Sequence, residues 1–290
     1  MTEQRTVFVT GATDGLGRAL SDRLAADGAD LILHGRNADR LDMVADAIAA
    51  EHGIARPATV LADLADLEQV RALADAVRAA TERLDVFVSN AGIGAGEPDG
   101  RDRRTSADGY ELRFAVNYLA GFLLTLELLP LLRRTANAGP TERPPSRVIN
   151  VASIGQAPLD FDDLMLERDY HGLRAYGQSK LAQIMSGFEL AGRLPVDEVT
   201  VNSLHPATFM PTKMVLRERA HSVDSLETGV AATRRVVSDP ELASTTGRFF
   251  DRTREARANP QAYDPAARTQ LWHRSLELVG YPVVDAPDAP

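Results

Sequence analysis

The 290-residue chain contains no cysteine. That absence excludes disulfides, thiolate metal ligands and a cysteine nucleophile together, and it leaves the redox compartment open. Histidines are few, and His34, His52, His171, His205, His221 and His273 show no His-x-x-x-His spacing, so no metal centre is expected. Excess positive charge is missing as well: the formal net charge is -9 and the arginines are scattered, which argues against a nucleic-acid surface. No stretch reaches the ~18 uninterrupted apolar residues of a spanning helix. The nearest, Leu119 to Leu132, is shorter and holds Glu127 and Pro130. No basic region followed by an apolar run opens the chain, so no signal peptide is read and a cytoplasmic protein is expected.

The length suits one large α/β domain, able to bury roughly 75% of the surface its unfolded chain exposes. Short apolar runs at Val7–Val9, Leu31–Leu33, Thr59–Leu61, Val86–Val88, Val148–Val151, Val199–Leu204 and Phe249–Phe250 are apolar at consecutive positions. Strands buried on both faces read this way. Amphipathic segments alternate with them: Leu16–Ala26, Arg40–Glu51, Leu67–Arg83, Gly109–Arg134 and Leu173–Leu194. Asp27-Gly28 and His52-Gly53 read as helix stops. The alternation predicts a Rossmann-type, doubly wound parallel sheet with helices on both faces, in a single domain. Its catalytic part should span residues 1–250. Residues 251–290 should form a C-terminal extension beyond the last strand, frayed at its end.

The first strand runs into Thr10-Gly11-Ala12-Thr13-Asp14-Gly15-Leu16-Gly17 and then a helix. Gly11 allows the tight turn and Gly15 lets a pyrophosphate approach the backbone. Gly17 lets the helix pack against the strand, and the helix N-terminus offers free N–H groups to an anion. The second strand ends in Gly35-Arg36-Asn37, with no carboxylate in the turn. A guidanium-type donor such as Arg36 suits the 2′-phosphate of NADP, whereas a carboxylate there would bind the ribose of NAD. Asp14 complicates the choice, because a carboxylate near a 2′-phosphate would repel it.

Tyr176-Gly177-Gln178-Ser179-Lys180 places a phenol and an ammonium on one helix face. At ~4 Å and an effective dielectric near 20, the cation would favour tyrosinate by roughly 4 kcal/mol, lowering the tyrosine pKa by up to about three units before desolvation. The pair alone is common by chance. It gains weight from Ser153, at the carboxyl end of the strand Arg147–Val151, where such sheets bind ligands. Asn117 lies in an apolar helical stretch and must find partners there; it could hold a water relaying protons to Lys180, or be a satisfied core amide.

With Asp63-Leu64 and Asn90-Ala91-Gly92 added, these motifs resemble the short-chain dehydrogenase/reductase family over about residues 5 to 250. Within it, Leu61–Leu67, Phe122–Thr125, Phe161–Leu164, Leu204-His205-Pro206 and the 23-position interval from Ser153 to Tyr176 are most similar to the retinol-dehydrogenase-like and protochlorophyllide-reductase-like group. The resemblance implies about seven strands and a catalytic tetrad of Asn117, Ser153, Tyr176 and Lys180, with Lys180 also on the nicotinamide ribose. It places Asp63 at the adenine, Asn90-Ala91-Gly92 at the adenine-side ribose, and Pro206 with Thr208 or Thr212 at the nicotinamide. Ala207 stands where the family usually has glycine, and Pro211 favours Thr212 over Thr208.

The activity expected is hydride transfer between NADP(H) and a ketone, aldehyde or secondary alcohol. Reduction of a ring double bond, epimerisation, and a non-catalytic NADP sensor are the rival readings. The substrate pocket is expected from Ile154–Asp169, with Phe161, Leu164 and Met165, from Phe209–His221, with Met210, Met214, Val215 and Leu216, and from Trp272. The acidic loop Asp160–Tyr170 should border the substrate. By analogy, the long helices should pair copies into dimers or tetramers.

Overall fold

Each apolar run becomes a strand of one sheet in the computed structural model, which describes residues 4–96, 100–138, 143–212, 215–216 and 222–282. The strands are β1 Thr6–Val9, β2 Asp30–Gly35, β3 Ala58–Leu61, β4 Val86–Ser89, β5 Ser146–Val151, β6 Val199–His205, β7 Arg248–Asp251 and β8 Arg254–Ala256. Their order across the sheet is β3-β2-β1-β4-β5-β6-β7-β8. The first seven pair in parallel, and the short β8 runs antiparallel to β7 at the edge. Strand order reverses between β1 and β4, so the crevice for a ligand opens at the carboxyl ends of these two.

The helices are α1 Gly15–Ala26, α2 Ala38–His52, α3 Leu67–Ala80, α4 Ala120–Asn137, α5 Gly172–Ala191, α6 Leu226–Ser238 and α7 Pro265–Leu278. Strand side chains alternate between two cores. Val7, Val9, Val86 and Val88 face α1, α2 and α6, whereas Phe8, Phe87, Val148 and Val201 face α3, α4, α5 and α7. This is why the runs read as continuously apolar. Asp14, Asn37 and Asp66 cap α1, α2 and α3, and Gly28 and Gly53 take left-handed conformations at the expected stops, with φ of 87° and 62°.

Three features depart from the sequence expectation. The segment after Asp251 does not trail: β8 extends the sheet and α7 packs on α5, with Trp272 edge-on to Phe122 of α4. The part expected to fray, residues 283–290, lies outside the described residues. Secondly, Phe114–Leu119 leads into α4 as a π-helical turn, in which Ala120 N–H donates to the carbonyl of Ala115. Thirdly, the apolar helical stretch is longer than Leu119 to Leu132. It covers the 24 residues Phe114–Asn137, with a mean hydropathy of 1.7 in its most apolar window, long and apolar enough to cross a membrane. That window is 83% buried inside the fold, so its hydropathy is spent on the core.

Candidate active site

At the carboxyl edge of the sheet lies a cleft of about 1250 Å³. One end is built by the glycine turn. A Cβ at Gly17 would stand 2.2 Å from the carbonyl oxygen of Gly11, so α1 can start this close to β1 only with glycine. Thr10 Oγ1 accepts the N–H groups of Asn90 and Ala91, and Asn90 Nδ2 donates to the Thr10 carbonyl at 2.8 Å, which locks the β4 loop to the turn. His34, on β2, adds a tie that sequence reasoning missed. Its buried ring accepts Gly11 N–H at Nδ1 (3.2 Å) and meets the Ala62 carbonyl at Nε2 (3.1 Å). Burial pushes its pKa down to about 4, so the ring is neutral and Nε2 carries the proton.

Gly11, Thr13, Asp14, Gly15, Leu16 and Gly17 all line this end. The Asp14 carboxylate accepts Gly15 N–H as the α1 cap. Asn37 caps α2 by accepting Arg40 N–H, and Asp63 accepts Ala65 N–H in a local turn; both still face the cleft, as does Leu64. Arg36 is exposed on the rim. Arg40, which sequence reasoning passed over, stands one helical turn away on the same rim, and neither guanidinium has an ion-pair partner among the described residues.

At the other end the four residues of the expected tetrad come together unequally. Tyr176 and Ser153 both line the cleft and converge at Gly155, where a Cβ would lie 3.4 Å from Ser153 Oγ and 3.8 Å from Tyr176 Cε1. Ser153 Oγ accepts Gly155 N–H at 3.0 Å, which leaves its own hydroxyl hydrogen to donate into the cleft. Lys180 Nζ lies 5.9 Å from the Tyr176 ring centroid. Burial lowers its pKa to about 7. The ammonium expected from sequence is therefore far easier to deprotonate than a solvated lysine.

Asn117 sits in the π-helical turn, and its side chain is fully committed. Oδ1 accepts Ile93 N–H at 2.7 Å, while Nδ2 donates to the Ile93 carbonyl and to Ser179 Oγ. The satisfied-amide reading holds for its side chain. It clamps the loop after Gly92 to α5 instead of touching Lys180.

The model of the short chain dehydrogenase family matches residues 5–222. The chain is a short-chain dehydrogenase. It is 33% identical to retinol dehydrogenase 13 of Mus musculus, covering 95% of this chain and 84% of that protein. It is 35% identical to a candidate daunorubicin C-13 ketoreductase, DnrU, of Streptomyces sp. (strain C5), covering 95% and 93%. Among solved structures it is similar to the Pseudomonas aeruginosa RhlG/NADP active-site complex, with a TM-score of 0.68, 26% identity and coverage of 86% and 95%.

Not every residue expected around the substrate reaches this dehydrogenase's cleft. Leu164 is buried in the core, Phe161 and Met165 pack half-buried against it, and Trp272 of α7 is buried against Phe122 of α4. The loop Asp160–Tyr170 borders the core, not the cleft. Arg113 explains this: it donates to the carbonyls of Gly94 (2.8 Å) and Ala95 (2.6 Å) and to Tyr170 Oη, gathering both loops behind the wall. The wall itself is supplied by Leu112, Val116, Ile154, Leu173, Phe209 and Val215. Met210 also lines the cleft, Leu216 points to solvent, and Met214 and His221 lie outside the described residues. Pro206 and both threonines line it too, but Thr208 Oγ1 is held by Arg252 and His205. Thr212 Cγ2 comes within 2.9 Å of a Cβ built on Gly15, so Thr212 is the threonine above the phosphate turn. Away from the cleft, Asp22, Glu51 and His52 bring ligand-type atoms within 4.8 Å of one another, with His52 Nε2 and Asp22 Oδ1 hydrogen-bonded at 3.1 Å.

Proposed function

We propose that this dehydrogenase uses NADP(H) to interconvert a lipophilic ketone or aldehyde with its alcohol. The observation that carries the cofactor choice is the pair Arg36 and Arg40, both without carboxylate partners among the described residues at the rim beside the glycine turn. Two planar cations there suit a 2′-phosphate, and the RhlG structure similar to this chain is a complex with NADP. The glycine turn fits a dinucleotide's pyrophosphate because Gly11, Gly15 and Gly17 line the cleft without side chains where α1 begins. The apolar wall, with Ile154 and Leu173 more than half exposed at its mouth, suits a lipophilic substrate. Two relatives named above act, by name, on retinol and on the C-13 ketone of daunorubicin.

When bound, the nicotinamide supplies or takes the hydride. The chain's own residues handle the oxygen. Ser153 donates a hydrogen bond to the substrate carbonyl oxygen, polarising it. Tyr176 delivers a proton to the same oxygen as the alcohol forms, and takes it back in oxidation. Lys180, as ammonium, makes loss of that proton easier by stabilising tyrosinate.

A panel of ketones, aldehydes and alcohols assayed by NADPH and NADH absorbance tests the reading. The expected result is turnover of apolar carbonyls, with kcat/KM for NADPH at least tenfold above that for NADH. Equal use of both coenzymes would remove the role given to Arg36 and Arg40.

A further inference from the structure

Lys180 donates two of its three N–H groups within the protein, to the Val151 carbonyl at 2.9 Å and to Gln183 Oε1 at 2.9 Å. The second bond is the unusual one. Gln183 is one turn further along α5 and almost fully buried, at 3% exposure. Its backbone carbonyl already accepts from Asn150 Nδ2 and Ser186 Oγ, and its Nε2 is a buried donor with no protein partner. Gln183 also lines a second cavity, about 20 Å³, together with Ser89, Tyr118, Asn150, Ser186 and Trp272. Such a volume holds one water, and the polar lining could bond it.

The composition of the chain points to the same amine. Of 32 basic residues only two are lysines, Lys180 and Lys213, and the remaining 30 (32 − 2) are arginines. An arginine stays charged however deeply it is buried, whereas a lysine can lose its proton. Position 180 therefore keeps, amid 30 arginines, a basic side chain whose charge the surroundings can adjust.

We propose that Gln183 is a positioning residue for Lys180: its carboxamide oxygen holds the amine under Tyr176 and favours the ammonium form, while its amide nitrogen is anchored by a water in the adjoining cavity. A carbonyl-type oxygen can only accept from this amine, so it stabilises the state with more N–H donors. Among the described residues no ion pair to Lys180 does this instead. Burial is the sole cause of the lysine's lowered pKa. Among the described residues Tyr176 on its own helix and the Val151 carbonyl of β5 meet the lysine, while Tyr118 from the π-helical turn, Ser89 and Asn150 face Gln183 across the small cavity. The proposal rests on the catalytic reading above for its consequence in turnover, and on geometry alone for its effect on the lysine.

Because the chain has two lysines, ¹⁵N-lysine NMR of the apoprotein gives two Nζ signals, and Lys213→Arg assigns them. Gln183→Met, of similar shape but without the acceptor, should lower the Lys180 midpoint by at least half a pH unit. Gln183→Glu, which places a carboxylate against the amine, should raise it by more than one. In alcohol oxidation the acid limb of kcat/KM should move in the same directions, with the NADP dissociation constant changed less than threefold. Unchanged NMR midpoints in both folded variants overturn the proposal, and Gln183→Glu alone decides it if the Met variant does not fold. If the midpoints move while the Tyr176→Phe enzyme keeps full turnover, Gln183 retains its hold on Lys180 and the catalytic reading fails by itself.

Discussion

Tyr176 stands half-buried on the second turn of α5, so removing its hydroxyl takes away a proton donor and little packing. Tyr176→Phe is expected to lower turnover by about 10²- to 10⁴-fold, the usual worth of general acid–base catalysis, while NADPH affinity by calorimetry stays within a few-fold. At the opposite end of the cleft, Arg36→Ala and Arg40→Ala should each weaken NADPH binding by roughly 10- to 100-fold, the value of a charged hydrogen bond of about 1.5–3 kcal/mol. NADH binding should not change. Tyr176, Ser153 and Arg36 were legible because helix period, strand end and turn position are local properties. Arg40 was not, because its nearness to Arg36 depends on where Asn37 caps α2. The side-chain commitments of Asn117 and Thr208 were hidden for the same reason: their partners, Ile93, Ser179 and Arg252, come from distant segments.

His34 couples β2 to the glycine turn, and its titration should appear in stability. Folded, it titrates at about 4; unfolded, near 6.5. Between these values the unfolded chain binds a proton that the folded chain refuses. Its contribution is therefore intact above pH ~6.5 and is lost as pH falls towards 4, by up to about 1.4 kcal/mol per unit. In thermal melts, His34→Gln should flatten that acid slope. The N-terminus of α1 carries a smaller effect: Asp14→Ala should cost about 1 kcal/mol through the lost cap. Most elements were readable from period and caps. Helix α6 was also within reach, since Ser225 caps it and Gly229, Thr233, Val236 and Val237 mark its buried face. The π-helical turn was not, because one extra residue in a turn leaves the apolar pattern almost unchanged.

At the scale of the molecule, α7 closes the fold. It covers the seam of α4 and α5, the two helices expected to pair copies of the chain. Along α5 the only exposed side chain is Leu173, and along α4 only Pro130, Arg134 and Asn137 are exposed. Part of the apolar face of these two helices packs against α7 within the chain. Trp272→Ala should destabilise the fold by about 3–5 kcal/mol. Truncation before Pro265 should expose the seam and show as self-association in sedimentation. Sheet, phosphate turn and the tyrosine–lysine face were determined by the sequence itself, through apolar runs, the 3.6-residue helix period and conformations that glycine adopts without strain, and the family through its motif resemblance. Tertiary structure alone decided the lowered pKa of Lys180, the wall of the cleft and the covering of the helix seam. Burial and long-range contact set those three, and neither is a property of neighbouring residues in the chain.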